Sequence, residues 1–140
     1  MQEERIAQHF ERMNHIDVIA MGIGSNKPSF SAIVRAGQIN KEESEGLLAA
    51  GAVGDICGIQ LDALGHVAKT DFSGRIMSID PDVLLKVPIR IGVAAGSEKL
   101  ETTLAGLRGG FINVLVMDEV SARRVLRVQE MDPKPVRARS

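Results

Sequence analysis

Three short stretches of this 140-residue chain bring together residue types that can hold a small polar ligand. The first is Ala94-Ala95-Gly96-Ser97-Glu98-Lys99, where the apolar run from Ile89 to Ala95 gives way to a helical pattern. Gly96 permits a tight turn and close backbone approach. Ser97 stands where a helix N-cap would, so its hydroxyl and the first helical N–H groups can face an oxyanion. Lys99 adds a full positive charge nearby. These are the parts of a phosphate or carboxylate cradle, and equally of a plain capped helix with an exposed lysine; neither GxxxxGK[ST] nor GxGxxG is present. The second stretch, Gly22-Ile23-Gly24-Ser25 before Asn26 and Lys27, can admit a ligand's hydroxyls or phosphate, or simply turn the chain. The third is GAVGDICG, Gly51 to Gly58, in which the single charge is Asp55. A carboxylate among small and apolar residues is costly without partners. It can accept from two neighbouring sugar hydroxyls or from local backbone amides.

Composition narrows the chemistry. Apolar residues make up 44% and charged ones 25%, the balance of an ordinary globular protein, and the length fits one domain. A net charge of −1 gives no overall reason to bind nucleic acid. Cys57 is the sole cysteine, so there is no disulfide framework or cysteine metal site, and a reducing cytoplasm is the expected setting. His9, His15 and His66 lack metal-ligand spacing, so no metal and no cofactor are expected. No catalytic residue can be assigned: no Ser/His/Asp or Cys/His set emerges, His66 reads as a turn residue and Cys57 as a small core residue. Asp118 and Glu119 read as the start of a helix, with Asp118 its cap. The polar N-terminus carries no signal-peptide pattern, and no apolar run suits a membrane span.

These stretches need elements to hold them. Glu3 to Asn14 reads as a helix with Ile6, Phe10 and Met13 on one face. Asp17 to Gly24, Ile89 to Ala95 and Ile112 to Met117 are continuous apolar runs, the pattern of strands buried on both faces of a parallel sheet. Asn40 is placed to cap a helix from Lys41 to Ala50, stopped by Gly51. Ala52 to Asp80 reads as two or three short strands and turns. Asp80–Pro81 opens a short helix to Lys86, Glu98 to Leu107 a further helix and Glu119 to Glu130 a last one. The tail from 131 to 140 has the composition of a disordered segment. Strands alternating with helices over short connections specify an α/β fold with a mainly parallel sheet flanked by helices. In such sheets ligands lie beyond the carboxyl ends of the strands, where Gly22–Ser25, Ala94–Lys99 and Met117–Glu119 fall.

Together, DVIAMGIGS, LLAAGAVGDICGIQLDALG, VPIRIGVAAGSEKLETTLAGLRGG and INVLVMDEVSARRVL resemble the sugar-binding effector domain of SorC-family bacterial transcriptional regulators, in order and spacing, from Asp17 to Leu126. The resemblance implies the fold of glucosamine-6-phosphate deaminase, ribose-5-phosphate isomerase and the CoA transferases. It implies a phosphorylated sugar as effector, a homo-oligomer, commonly a tetramer, and DNA contact only through a helix-turn-helix domain that these residues do not contain. On this resemblance residues 1–130 form a partial effector domain, its later portion, either as an excised fragment or as a natural short chain. Gly96, Ser97 and Lys99 fall on the family's phosphate-contacting turn, and Gly22, Gly24, Ser25 and Asp55 near the sugar. Ala95 replaces a glycine common there, placing a β-carbon at the turn. Deaminases of this fold carry an acid and a histidine after the glycine turn, where this chain reads SNKPSFSAI. A sugar-phosphate isomerase or deaminase is therefore the lesser alternative, beside an oligomerisation module with a vestigial pocket.

Overall fold

The computed structural model describes residues 2–132. Helix α1 (Gln2–Met13) leads into strand β1 (Val18–Gly22). Two helices follow, α2 (Ala32–Arg35) and α3 (Lys41–Ala49), then a hairpin of β2 (Ala52–Ile56) and β3 (Ile59–Asp62). An irregular segment with a 3-10 turn at Ser73–Arg75 reaches α4 (Pro81–Lys86) and β4 (Ile89–Ala94). A 3-10 turn at Ser97–Lys99 opens α5 (Leu100–Arg108), and β5 (Val114–Met117) and α6 (Glu119–Met131) complete the order. Residues 133–140, most of the expected disordered tail, lie outside the described residues, whereas Met131 ends α6.

The caps explain the boundaries. Asn40 and Glu43 form a reciprocal capping box at α3, and Gly51, at φ +85°, takes the chain out of it. Asp80 accepts from the amides of Asp82 and Val83, with Pro81 in the first turn of α4. The hairpin turns at Cys57 and Gly58, both with positive φ (53° and 79°), as a two-residue hairpin turn requires. Cys57 is therefore a half-buried turn residue rather than the core residue its composition suggested.

Strands β1, β4 and β5 form a parallel sheet in the order β1-β4-β5, with Val18 opposite Ile89 and Ile91 opposite Val114. Met21, Ile23, Ile56, Leu61, Leu84, Phe111 and Ile112 make the main core between this sheet, the hairpin and α5. A second cluster, Ile39, Leu47, Ala52, Ala68 and Phe72, lies under α3. The expectation that the strands are buried on both faces needs correction. Among the described residues the opposite face of the sheet carries Val18, Val93 and Val116 about half exposed. The apolar runs reflect the composition of a doubly covered sheet, but these residues cover one side.

The joint between sheet and hairpin is polar and largely buried. Gly24 donates its amide to the Asp55 carbonyl at 2.8 Å, Asn26 donates to Val53 at 3.2 Å, and Ile23 bridges Ile56 antiparallel. The fully buried Asn26 side chain donates from Nδ2 to the Ala52 carbonyl (2.8 Å) and to Gln60 Oε1 (2.7 Å), while the Asn26 main-chain carbonyl accepts from Ser44 Oγ (2.7 Å). At the other end of the sheet Arg90, on β4 and 9% exposed, donates to the carbonyls of Gly110 (2.9 Å), Leu85 (3.2 Å) and Val87. Asn113 reinforces this end, accepting from the Arg90 amide and donating to the Pro88 carbonyl, both at 2.8 Å.

Truncating either centre leaves buried groups without partners. Asn26→Ala and Arg90→Met are each expected to lower unfolding free energy by about 2–4 kcal/mol in urea titrations, whereas Arg123→Ala, at an exposed ion pair on α6, should cost less than about 0.5 kcal/mol.

Candidate functional site

The carboxyl ends of β1, β4 and β5 lie side by side, because the sheet is parallel and in register there: Gly22 pairs with Val93, and Ala94 with Met117. The turns that follow carry most of the residues singled out in the sequence. Gly22 is exposed and has open space around it. Gly24 has none: a β-carbon there would overlap the Asp55 carboxylate, so glycine is what allows that side chain to lie against β1's turn. Ser25 is buried, its hydroxyl accepting from the Lys27 amide at 3.3 Å, an inward turn contact. Lys27 pairs loosely with Glu101 of α5 at 3.8 Å.

Asp55 joins the two turns. It stands on β2 opposite Gln60, half-buried, one carboxylate oxygen accepting from the Gly58 amide at 3.0 Å. Burial raises its pKa, opposed by the Gly58 hydrogen bond and by the charge of Lys99. Burial, with Asp55's charge as a smaller cause, also pushes the Cys57 thiol up. α5 leans closely on β2 here: Thr102, fully buried, donates to the Val53 carbonyl at 3.4 Å, and a β-carbon on Gly54 would strike it. That packing brings Lys99, in the turn opening α5, within electrostatic reach of Asp55.

The Gly96 turn differs from expectation. Gly96 itself is the N-cap of the 3-10 turn, at φ +93° and ψ 147°, and no side chain caps it; Ser97 is exposed and does not act as the cap. The Gly96 amide donates to Asp118 Oδ2 at 3.1 Å. Asp118's other oxygen accepts from Ser121 at 3.0 Å, capping α6 as its sequence position suggests. The Glu98 side chain folds over Gly96, where a β-carbon would overlap its carboxylate. The amides of Ser97 and Glu98 open the helical turn and have no partner within it, which leaves them and the Lys99 ammonium as the cationic side of this turn.

The arrangement therefore puts a partly desolvated carboxyl, a lysine and helix-opening amides at one end of the sheet, with the Asp118 and Glu98 carboxylates against the Gly96 turn. It suits a ligand that offers hydroxyls to Asp55 and an anionic group to Lys99. Among the described residues no cluster of histidine, cysteine or carboxylate side chains is placed to hold a metal, and no helix is long and apolar enough to cross a membrane. Sequence reasoning missed Thr102, Asn26 and the use of Asp118 to brace Gly96. A threonine at helical spacing and a loop asparagine carry no sign of burial, and the Gly96–Asp118 contact spans two strands.

The carboxylates at this end of the sheet set a testable pH response. The amides of Ser121 and Gly96 hold the Asp118 carboxyl down to about 2, below its ordinary 3.8. A lowered folded-state pKa gives stability that is present above 3.8 and lost as pH falls through about 2. Asp118→Asn should flatten the fall in denaturant midpoint across that window. Asp55 has the opposite sign: its raised pKa means ionisation costs stability at neutral pH, and Asp55→Asn should be as stable as the parent or more so there. Gly24→Ala, which displaces Asp55, should cost about 1–3 kcal/mol, while Gly22→Ala stays within about 0.5 kcal/mol of the parent, both read by urea unfolding.

Known proteins resemble this chain in sequence and in fold. The family model described as "Putative sugar-binding domain" matches residues 1–127. Transcriptional regulator LsrR of Enterobacter sp. (strain 638) is 39% identical over 112 residues, 79% of this chain and 35% of that protein. A DeoR family transcriptional regulator from Listeria monocytogenes has a similar structure, with a TM-score of 0.80 at 28% identity over 87% of this chain and 49% of its own. The full-length sorbitol operon regulator SorC of Klebsiella pneumoniae gives a TM-score of 0.74 at 33% identity, over 85% of this chain and 40% of that one. The chain thus spans between about a third and a half of these relatives' length.

Proposed function

The chain belongs to the family of sugar-binding domains carried by SorC-type transcriptional regulators, and on that premise we propose that it is a ligand-sensing domain whose strand-end cleft binds a phosphorylated sugar. The observation that carries the reading is the Asp55–Gly24–Lys99 arrangement: a half-buried carboxyl lying against a glycine turn, within electrostatic reach of a lysine. A sugar phosphate has both complements. Its hydroxyls donate to Asp55, with Gly22 and Gly24 leaving room for close approach, and its phosphate takes Lys99 and the amides of Ser97 and Glu98. Ser25 supports from behind, through the Lys27 amide.

Binding is non-covalent and nothing turns over. Proton transfer on a sugar carbon needs a placed base, and the segment after the glycine turn, SNKPSFSAI, offers neither acid nor histidine. In a regulator the bound effector shifts an equilibrium between arrangements of the oligomer, and DNA is read by a separate helix-turn-helix domain; we assign both to the assembled regulator, in the cytoplasm. A second reading, an oligomerisation module with a vestigial pocket, draws on the Gly96 turn, where Asp118 already takes the amide and Glu98 covers the glycine.

A thermal-shift panel of sugar phosphates, including ribose-5-phosphate and glucosamine-6-phosphate, against the matching free sugars separates the readings. The sensor predicts a rise in melting temperature for at least one phosphorylated sugar and a loss of affinity of about tenfold or more in Lys99→Ala, the scale of one charge-assisted hydrogen bond. A stable oligomer that responds to none of them favours the module. Turnover of either sugar phosphate would establish the enzyme.

A further inference from the structure

Charge at the Gly96 turn runs against the ligand assigned to it. The free groups of the turn suit an anion: the amides of Ser97 and Glu98, and the Lys99 ammonium. Gly96, with no β-carbon, is the residue past which a ligand could approach the backbone closely. Yet both carboxylate oxygens of Glu98 lie where a β-carbon on Gly96 would stand. A second carboxylate, Asp118, holds the Gly96 amide at 3.1 Å. The open face of the turn is already covered by an anion of the chain itself.

The two carboxylates are held differently. Asp118 is fastened, since it accepts from the amides of Gly96 and Ser121 and caps α6. Glu98 is half-buried and, among the described residues, makes neither a hydrogen bond nor an ion pair. Lys99, its neighbour in sequence, acts on Asp55. Glu98 can therefore leave Gly96 by side-chain rotation alone, without breaking a bond. While it stays, its charge repels any other anion brought to the amides of Ser97 and Glu98.

We propose that Glu98 is a specificity-determining residue of this turn: its carboxylate occupies the anion position in the free chain, and an anionic ligand binds by displacing it. The proposal rests on the sugar-phosphate reading of the turn and adds how the turn selects. Every anion meets the same repulsion and the same cost of moving the side chain. Inorganic phosphate has only Lys99 and two amides to offset that cost. A ligand that also gives hydroxyls to Asp55 has a further contact, so it stays bound where the bare anion does not. Glu98 thus reserves the turn for polyhydroxylated anions, at some loss of absolute affinity.

The probe is inorganic phosphate, titrated at fixed pH and ionic strength into the isotopically labelled 140-residue chain, with the Ser97 and Glu98 backbone amides as NMR reporters. The parent should bind weakly, and Glu98→Gln, close in shape but uncharged, about tenfold more tightly or better. Glu98→Ala should gain as much, which keeps the test decisive should the glutamine variant not fold. Adding Lys99→Ala to Glu98→Gln should remove the gain. Glu45→Gln, at an exposed acid on α3, should stay within about twofold of the parent. Equal phosphate affinity in parent and Glu98→Gln, binding by neither, or a gain that survives Lys99→Ala overturns the proposal. In the sugar panel, Glu98→Gln should tighten a phosphorylated sugar about tenfold and leave free sugars unchanged. A Glu98→Gln gain on inorganic phosphate with no sugar phosphate bound by any variant overturns the sugar-phosphate reading and leaves Glu98 as the cover of an anion turn. A sugar phosphate bound equally by parent and variant overturns the role of Glu98 and leaves that reading standing.

Discussion

The fold hinges on a small polar seam where β1 ends. Gly24 and Asn26 give their amides to the β2 backbone, and the Asn26 side chain holds Ala52 and Gln60 from within the core. Each of these bonds fixes an orientation, while Asn26 Oδ1 and Gln60 Nε2 are buried beside them without a hydrogen-bond partner among the described residues. Asn26 thereby sets the position of the hairpin against the sheet. Without that docking Asp55 would not lie on Gly24, α5 would have no β2 against which to lay Thr102, and Lys99 would not come within electrostatic reach of Asp55. The site follows from where the hairpin is pinned.

A second dependence runs across the strand ends. Asp118 caps α6 and at the same time holds the Gly96 amide, so the turn after β4 and the helix after β5 are coupled through one carboxylate. The glycine at position 96 serves that geometry: its φ of +93° disfavours any side chain, and the Glu98 carboxylate occupies the space one would need. The turn is shaped by contacts within the protein as much as for a ligand, which is why a motif of glycine, serine and lysine alone does not decide between a cradle and a cap.

Much of this was legible in the residues. The apolar runs, the capping signals at Asn40 and Asp80–Pro81, and the glycines at strand ends gave the α/β order and the shared end of the sheet where the glycine turns lie. Local chemistry governs those features, and local chemistry is what a sequence displays. The misses share a different cause. The burial of Asn26 and Thr102, the Gly96–Asp118 bond and the Arg90 clamp all join segments far apart along the chain. Ser97 was misplaced by one position because a 3-10 turn, not a full α-turn, opens α5. The apolar runs spoke for a sheet covered twice, and the described residues cover it once.

Arg90 gives the sheet a mechanical polarity. Three carbonyls from the segments entering β4 and β5 converge on one guanidinium at the amino ends of the strands, inside the protein. The carboxyl ends are tied instead by Asp118 at the surface, a solvent-facing carboxylate on a turn. The sheet is thus tied at its amino ends by a buried guanidinium that keeps its charge, and at the ends of β4 and β5 by an acid whose charge goes as pH falls through about 2, so acid releases the glycine turn while the Arg90 clamp still holds.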